Sequence, residues 1–314
     1  MRFNPLKRNK KSPLHEFVTV NEFNQLKRQV DTHQSYLNNI YIFHELEFTP
    51  FLDAMRELSY GLMIFFDNVC RKYDLEYWMD YGTLLGAIRH EGFVPWDDDL
   101  DVGMMRADIL KLADIFQSEI DENGLENVNC AYKIDKHDHV SQRWFQINVK
   151  RPEFNGKFVG IDVFPYDYIK NPENVEEKYY DSRANFYKRR QDGMDIKDVV
   201  DELFNELGLS YEKEENIIPG VENARGKVNI YPFKVIKTDK LFPTKRVKFG
   251  KCMLPAPQDA HDYLLNVYGK RFMEIPGKIR DHGRLNRYKK QPDIMNMLKE
   301  TNEMFRRVNE NFKF

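Results

Sequence analysis

The sequence predicts an α+β fold, a mixed β-sheet core flanked by helices, and three observations carry that prediction. Apolar residues from Leu52 to Val69 recur at three- and four-residue intervals, as one buried helix face does. The run Leu75 to Met79 is short, apolar and aromatic, as a buried strand would be, and leads into a glycine-containing helix start at Gly82-Thr83. Three further strand candidates, 127–134, 144–150 and 157–164, supply the rest of a mixed sheet.

Along the chain, Met1 to Lys11 carries Arg2, Lys7, Arg8, Lys10 and Lys11 without a following apolar stretch, so a signal peptide is not expected. A solvated basic tail fits best, with a membrane-surface anchor as the alternative. Residues 14–45 show a weak helical pattern through Leu26, Val30, Leu37, Ile40 and Ile42, without a clear start. Thr49 then caps a helix with Pro50 at its first position, running to about Tyr73. His90-Glu91-Gly92 makes a turn, and Ile109, Leu112, Ala113, Phe116 and Ile120 mark a second amphipathic helix. Asn155-Gly156 is a turn before the third middle strand. Residues 171–216 are rich in charge and helix formers, and Pro219-Gly220 punctuates their end. A further helix candidate covers Pro257 to Tyr268.

Composition bounds the partners. A length of 314 residues, 41% hydrophobic and 14% aromatic, is ample for a real core. Lys and Arg number 48 against 50 Asp and Glu, so nothing in the net charge calls for nucleic acid. Cys70, Cys130 and Cys252 lie far apart, which gives neither a disulfide framework nor a zinc pattern and suits a cytoplasmic setting. No apolar run reaches the ~18 residues of a spanning helix, so a membrane-linked substrate would be met peripherally, at the inner face.

The chemistry concentrates in Trp96-Asp97-Asp98-Asp99-Leu100-Asp101-Val102. On a strand, Asp99 and Asp101 share one face about 7 Å apart while Leu100 and Val102 turn into the core. Two such carboxylates repel unless a cation joins them, and all-oxygen ligands suit Mg2+ or Mn2+. Asp98 falls on the opposite phase. A solvated acidic turn is the bland alternative; the apolar flanks Trp96, Leu100, Val102 and Met104 argue against it. A calcium loop with Asp97, Asp99, Asp101 and Asp108 as ligands lacks its glycine, because Val102 stands there. Asp162, a lone acid in the apolar run Gly160 to Pro165, is a third carboxylate, or else the partner of Arg143 or Arg151. The backbone amides at Gly82-Thr83 suit an anion, with the Thr83 hydroxyl as donor.

Together, Gly82-Thr83, Asp99-Leu100-Asp101-Val102 and Ile161-Asp162-Val163 resemble the three-part signature of nucleotidyltransferase-fold enzymes. More narrowly, Asp80-Tyr81-Gly82-Thr83-Leu84-Leu85-Gly86 through Pro95-Trp96-Asp97-Asp98-Asp99-Leu100-Asp101-Val102 resembles the LicD family of phosphocholine transferases, related to fukutin and fukutin-related protein. Ile161 to Asp167 resembles a second family block, and Leu241 to Gly269 contains a third. The resemblance implies a nucleotidyltransferase-like catalytic domain over 48–275 with a helical insertion around 171–235, an N-terminal arm over 1–47 and a C-terminal helical tail over 276–314. Residues 133–146 and 171–235 depart from the family pattern, and acceptor choice is expected in the second of these stretches.

The activity it implies is transfer of a phospho-alcohol, most simply phosphocholine, from a CDP-linked donor to a sugar hydroxyl of a cell-surface glycan or lipid-linked oligosaccharide. Asp99, Asp101 and Asp162 would be catalytic, Asp97 would join them on the metal, and Gly82, Thr83 and Arg89 would bind the donor. His90 reads as structural or as a proton carrier, and Tyr77, Trp78, Tyr81 and Trp96 as core or as a cage for a quaternary ammonium. The alternatives are a nucleotidyltransferase moving NMP from an NTP, a glycosyltransferase, and a non-catalytic binding module. Donor alcohol, acceptor sugar and oligomeric state are not legible.

Overall fold

The computed structural model describes residues 19–43, 49–132, 145–150, 158–221, 233–276, 288 and 290–314. The basic tail, the Asn155-Gly156 turn, Arg143 and Arg151 lie outside the described residues. The chain divides into two compact units, Met1–Leu46 with Glu274–Lys278, and Glu47–Met273 with Ile279–Phe314.

The smaller unit contains α1 (Val20–Phe43). Its start, which apolar periodicity does not define, is a capping box. Thr19 Oγ1 accepts from the Glu22 N–H at 3.2 Å, and Glu22 Oε2 accepts from the Thr19 N–H at 2.8 Å. Within the same unit Gln34 Nε2 donates to the Ile275 carbonyl at 2.6 Å.

The larger unit opens with α2 (Pro50–Lys72), where Thr49 Oγ1 accepts from the Leu52 N–H at 3.3 Å, the cap the sequence predicts. Its apolar stripe, Leu58, Leu62, Phe65, Phe66 and Val69, is wholly buried. The chain continues through β1 (Tyr77–Met79), α3 (Tyr81–His90), β2 (Leu100–Met105) and α4 (Arg106–Glu122). Next come β3 (Val128–Tyr132), β4 (Phe145–Val149) and the eleven-residue β5 (Val159–Ile169). The strands lie in the order β1-β2-β5-β4-β3, with β2 and β5 parallel and the other neighbours antiparallel. The sheet is therefore mixed, as expected, and helices flank it.

The region after β5 forms α5 (Glu176–Gln191) and α6 (Ile196–Leu207), in keeping with its helix-forming composition. It also forms β6 (Leu209–Ser210), β7 (Asn216–Pro219) and β8 (Ile236–Lys237), strands too short to show a period of two. β6 and β7 pair with the far end of β5, and β8 pairs with β7. A separate apolar cluster around Tyr179, Phe186, Val199, Leu203 and Ile218 holds this region together.

Then follow α7 (Thr238–Leu241), the hairpin of β9 (Lys245–Phe249) and β10 (Cys252–Ala256), α8 (Ala260–Tyr268) and α9 (Ile294–Glu310). α8 begins at Ala260 rather than Pro257 because the Asp259 side chain caps it, accepting from the Asp262 N–H at 3.1 Å. No helix among the described residues is long and apolar enough to cross a membrane.

α9 lies along α2. Asn302 Nδ2 donates to the Ala54 carbonyl at 3.1 Å and Asn309 Nδ2 to the Gly61 carbonyl at 2.9 Å, while Phe305 is fully buried over Gly61. A Cβ at Gly61 would stand 2.8 Å from the Phe305 Cβ, so the missing side chain permits this approach. Helix propensity alone favours alanine by about 1 kcal/mol, but overpacking costs about 1–3 kcal/mol. Gly61→Ala should therefore lower stability in urea unfolding despite the better helix former, and a raised midpoint would show that α9 is not seated there.

Candidate active site

The site is built where the start of α3 meets the sheet. Gly82 and Thr83 occupy the first turn of α3, and Thr83 Oγ1 accepts from the Asp101 backbone N–H at 2.8 Å, which ties the helix to β2. Alternation along β2 is as the sequence predicts: Leu100 and Val102 are buried at 1% and 0%, while Asp99 and Asp101 are partly exposed. Asp98, on the opposite phase, is buried. Asp97 lies against Gly82, where a Cβ would come within 2.4 Å of its Oδ2, so glycine leaves the space that this carboxylate uses.

Parallel pairing of β2 with β5 sets Asp101 directly beside Asp162. Asp162 is buried, and on its other side β4 presents Gln146, whose Nε2 donates to Asp162 Oδ1; Asn148 Nδ2 in turn donates to Gln146 Oε1 at 3.0 Å. The structure thus brings Asp101, Asp162, Thr83 and, through Gly82, Asp97 to one end of α3. Among the described residues, no three acid, His or Cys side chains form a ready-made metal-ligand cluster. Asp108, the last residue of the calcium-loop pattern, belongs to the first turn of α4, where it accepts from the Glu76 N–H at 3.3 Å.

Behind α3 lies a buried polar network. Asp80, fully buried, precedes α3 and accepts from Tyr166 Oη at 2.6 Å, Tyr263 Oη at 2.8 Å and the Tyr81 N–H at 2.8 Å. Trp78 Nε1 donates to Tyr263 Oη at 3.3 Å. Tyr81 has a positive φ of 37°, a costly conformation for an aromatic residue, and the Asp80 carboxylate holds its N–H.

Residues 74–198 match the family model for the LicD/FKTN/FKRP nucleotidyltransferase domain. Over these residues the chain is similar to the LicD family. It is 31% identical over 118 residues to the lipopolysaccharide cholinephosphotransferase LicD of Haemophilus influenzae, covering 37% of this chain and 44% of that protein. It is 33% identical over 127 residues to an uncharacterized protein of Rickettsia typhi, covering 38% of each. To the human ribitol 5-phosphate transferase FKRP it is 32% identical over 145 residues, covering 45% of this chain and 26% of that protein. The chain spans less than half the length of each of these curated relatives.

Two features of the site are not evident from the sequence. The first is the role of Asp80: Tyr166 belongs to the second resembling block and Tyr263 to the third, so the three blocks meet on one carboxylate. The second is Arg56, a cation in the apolar helix α2. Its Nη2 donates to the carbonyls of Val94 at 3.1 Å and Pro95 at 3.0 Å, anchoring the chain just ahead of the acidic loop. Burial lowers the Arg56 pKa, while Tyr60 and then Asp53, Asp97 and Asp98 oppose that shift. A basic residue in an apolar stripe is the one signal of it in the sequence.

Arg89 sits in the last turn of α3, away from the end that carries Gly82 and Thr83. Its Nη1 donates to the Phe272 carbonyl at 2.6 Å, its Nε donates to His90 Nε2 at 2.9 Å, and its guanidinium lies 5.9 Å from the Trp96 ring centre. His90 is an acceptor here; burial, then Arg89 and Arg56, push its pKa down to about 4. Tyr77 and Trp78 are core residues, with Tyr77 Oη donating to Asp67 at 2.7 Å, whereas Tyr81 and Trp96 are half-buried.

Burial pushes Asp80 up to about 6 from an ordinary 3.8, although Tyr166, the Tyr81 N–H and Tyr263 all pull it down. The folded chain then binds this proton more tightly than the unfolded chain. Its contribution to stability is greatest below pH 4 and declines as pH rises through 6. Measured by urea unfolding, the stability of the wild type relative to Asp80→Asn should fall by about 3 kcal/mol between pH 3.5 and pH 7, at ~1.36 kcal/mol per pH unit. A difference that stays flat over that range would remove Asp80 as a titrating core group.

Proposed function

We propose that this chain is a phosphotransferase that moves a phospho-alcohol, phosphocholine in the first instance, from a CDP-linked donor to a sugar hydroxyl of a capsule, teichoic acid or lipopolysaccharide glycan, with Mg2+ or Mn2+ as cofactor. One observation carries the reading: Asp101 and Asp162 are paired on adjacent parallel strands beside a helix start suited to an anion. The relatives support the class, since one is a cholinephosphotransferase and another a ribitol 5-phosphate transferase.

The donor set fits a hard divalent ion, because it is all carboxylate oxygen and one of its members stands in a space that a Cβ at Gly82 would fill. Asp101 and Asp162 would hold the ion, with Asp99 and Asp97 from the preceding loop. Bound there, it would offset the negative charge of the donor diphosphate during transfer. Gly82 and Thr83 orient the donor phosphate through the first backbone amides of α3. The acceptor hydroxyl oxygen bonds to the phosphorus that bears the alcohol, the bond from that phosphorus to the bridging oxygen breaks, and CMP leaves. The hydroxyl proton passes to a carboxylate of the pair, for which Asp162, held by Gln146, is the candidate.

Incubation with CDP-choline, CDP-ethanolamine, CDP-glycerol and CDP-ribitol and a glycan acceptor should release CMP with one of them, and EDTA should stop the release. Pyrophosphate release from an NTP instead would assign the chain to nucleotidyl transfer. Asp101→Asn and Asp162→Asn should each lower the rate by at least about a hundredfold with little loss of stability. Gly82→Ala, which displaces Asp97, should cost up to about a hundredfold. Full activity in either Asp variant would refute the assignment.

A further inference from the structure

α1 leaves an apolar stripe exposed: Phe23 is 59% exposed, Leu26 57%, Val30 53% and Leu37 46%. These residues follow a period of seven rather than scattering. With Phe23 taken as position a of a heptad, the a and d positions are Phe23, Leu26, Val30, His33, Leu37 and Ile40. The outer positions b, c and f of the first two heptads are Asn24, Gln25, Arg28, Asp31, Thr32 and Ser35, all polar. Over residues 22–35 the apolar side chains fall only at a and d and the outer positions are polar, which is the pattern of a coiled coil and narrower than the stripe of a helix lying on a globular core.

We propose that α1 is a self-association helix, which joins the same helix of a second copy of this chain in a parallel two-stranded coiled coil. The flanking charges favour that occupant. In a parallel pair each g residue faces the e residue of the following heptad on the other chain, which sets Glu22 of one copy against Lys27 of the other, and the reverse. The Glu22 carboxylate has a second oxygen for this contact beside the one that caps Thr19. A membrane surface suits α1 less well. Its Lys27 and Arg28 are balanced by Glu22 and Asp31, so the polar face has no excess of positive charge for anionic lipid. α1 has 24 residues and is about 36 Å long at ~1.5 Å per residue, a length at which a helix gains from a partner.

Sedimentation equilibrium of the full chain at micromolar concentration should give a dimer mass. The double variant Leu26→Asp with Val30→Asp should raise the dissociation constant by more than about a hundredfold, because four buried apolar side chains are lost per dimer. Glu22→Lys and Lys27→Glu should each weaken the dimer, and the two together should restore it. Phe23→Cys, near one end of α1, should cross-link between copies faster than the native cysteines alone, as only a parallel arrangement brings those ends together. A wild-type chain that stays monomeric, or a double Asp variant that stays dimeric, would overturn the proposal. So would a monomeric wild type that pellets with phosphatidylglycerol–phosphatidylcholine vesicles through the same stripe.

Discussion

A single carboxylate sealed in the core ties the candidate site together. Asp80 is fully buried, and a buried charge is costly unless several donors meet it. Its three donors come from Tyr81 at the head of α3, Tyr166 on β5 and Tyr263 on α8. One charge therefore joins three segments that are distant in sequence. Because β5 and α3 are both held to it, Thr83 can reach the backbone of Asp101, and the first turn of α3 stays fixed against the edge of β2. The left-handed Tyr81 is part of the same arrangement, its N–H held by the carboxylate that precedes it.

Around this anchor the protein accumulates negative charge. Asp97, Asp98, Asp99 and Asp101 follow one another closely, and Asp162 is added from the neighbouring strand. Carboxylates so gathered repel one another, and stability alone gives no reason to keep them. Two buried arginines serve different ends. Arg56 reaches the carbonyls ahead of the acidic loop and holds the loop by its backbone. Arg106, at the start of α4, makes a two-pronged pair with Asp167, both contacts at 2.6 Å, and so belongs to the scaffold.

β5 links this centre to the region that follows it in the chain. Its first half pairs with β2 and β4 and carries Asp162, and its last residues, Tyr166 to Ile169, pair with β6 and β7 of the following region. At ~3.3 Å per residue those pairings begin only about 13 Å along the strand from Asp162. The region thus has its own apolar cluster and is also joined by hydrogen bonds to a strand of the site.

Features written in a short stretch of chain are legible in the sequence alone. The cap and proline that open α2, its buried stripe, the alternation that separates Asp98 from Asp99 and Asp101, and the glycine-threonine start of α3 all follow from spacing within about one or two turns. The heptad of α1 is local in the same sense, and so is its capping box, although apolar periodicity does not reveal a cap made by two polar side chains. Partnership across the sheet is not local. Which residue stands beside Asp101, which hydroxyls reach Asp80 and which cation steadies the acidic loop depend on strand register and helix packing between segments tens of residues apart. A period within one segment carries no information about its register against another, so the sequence identified the acids and the tertiary structure chose their neighbours.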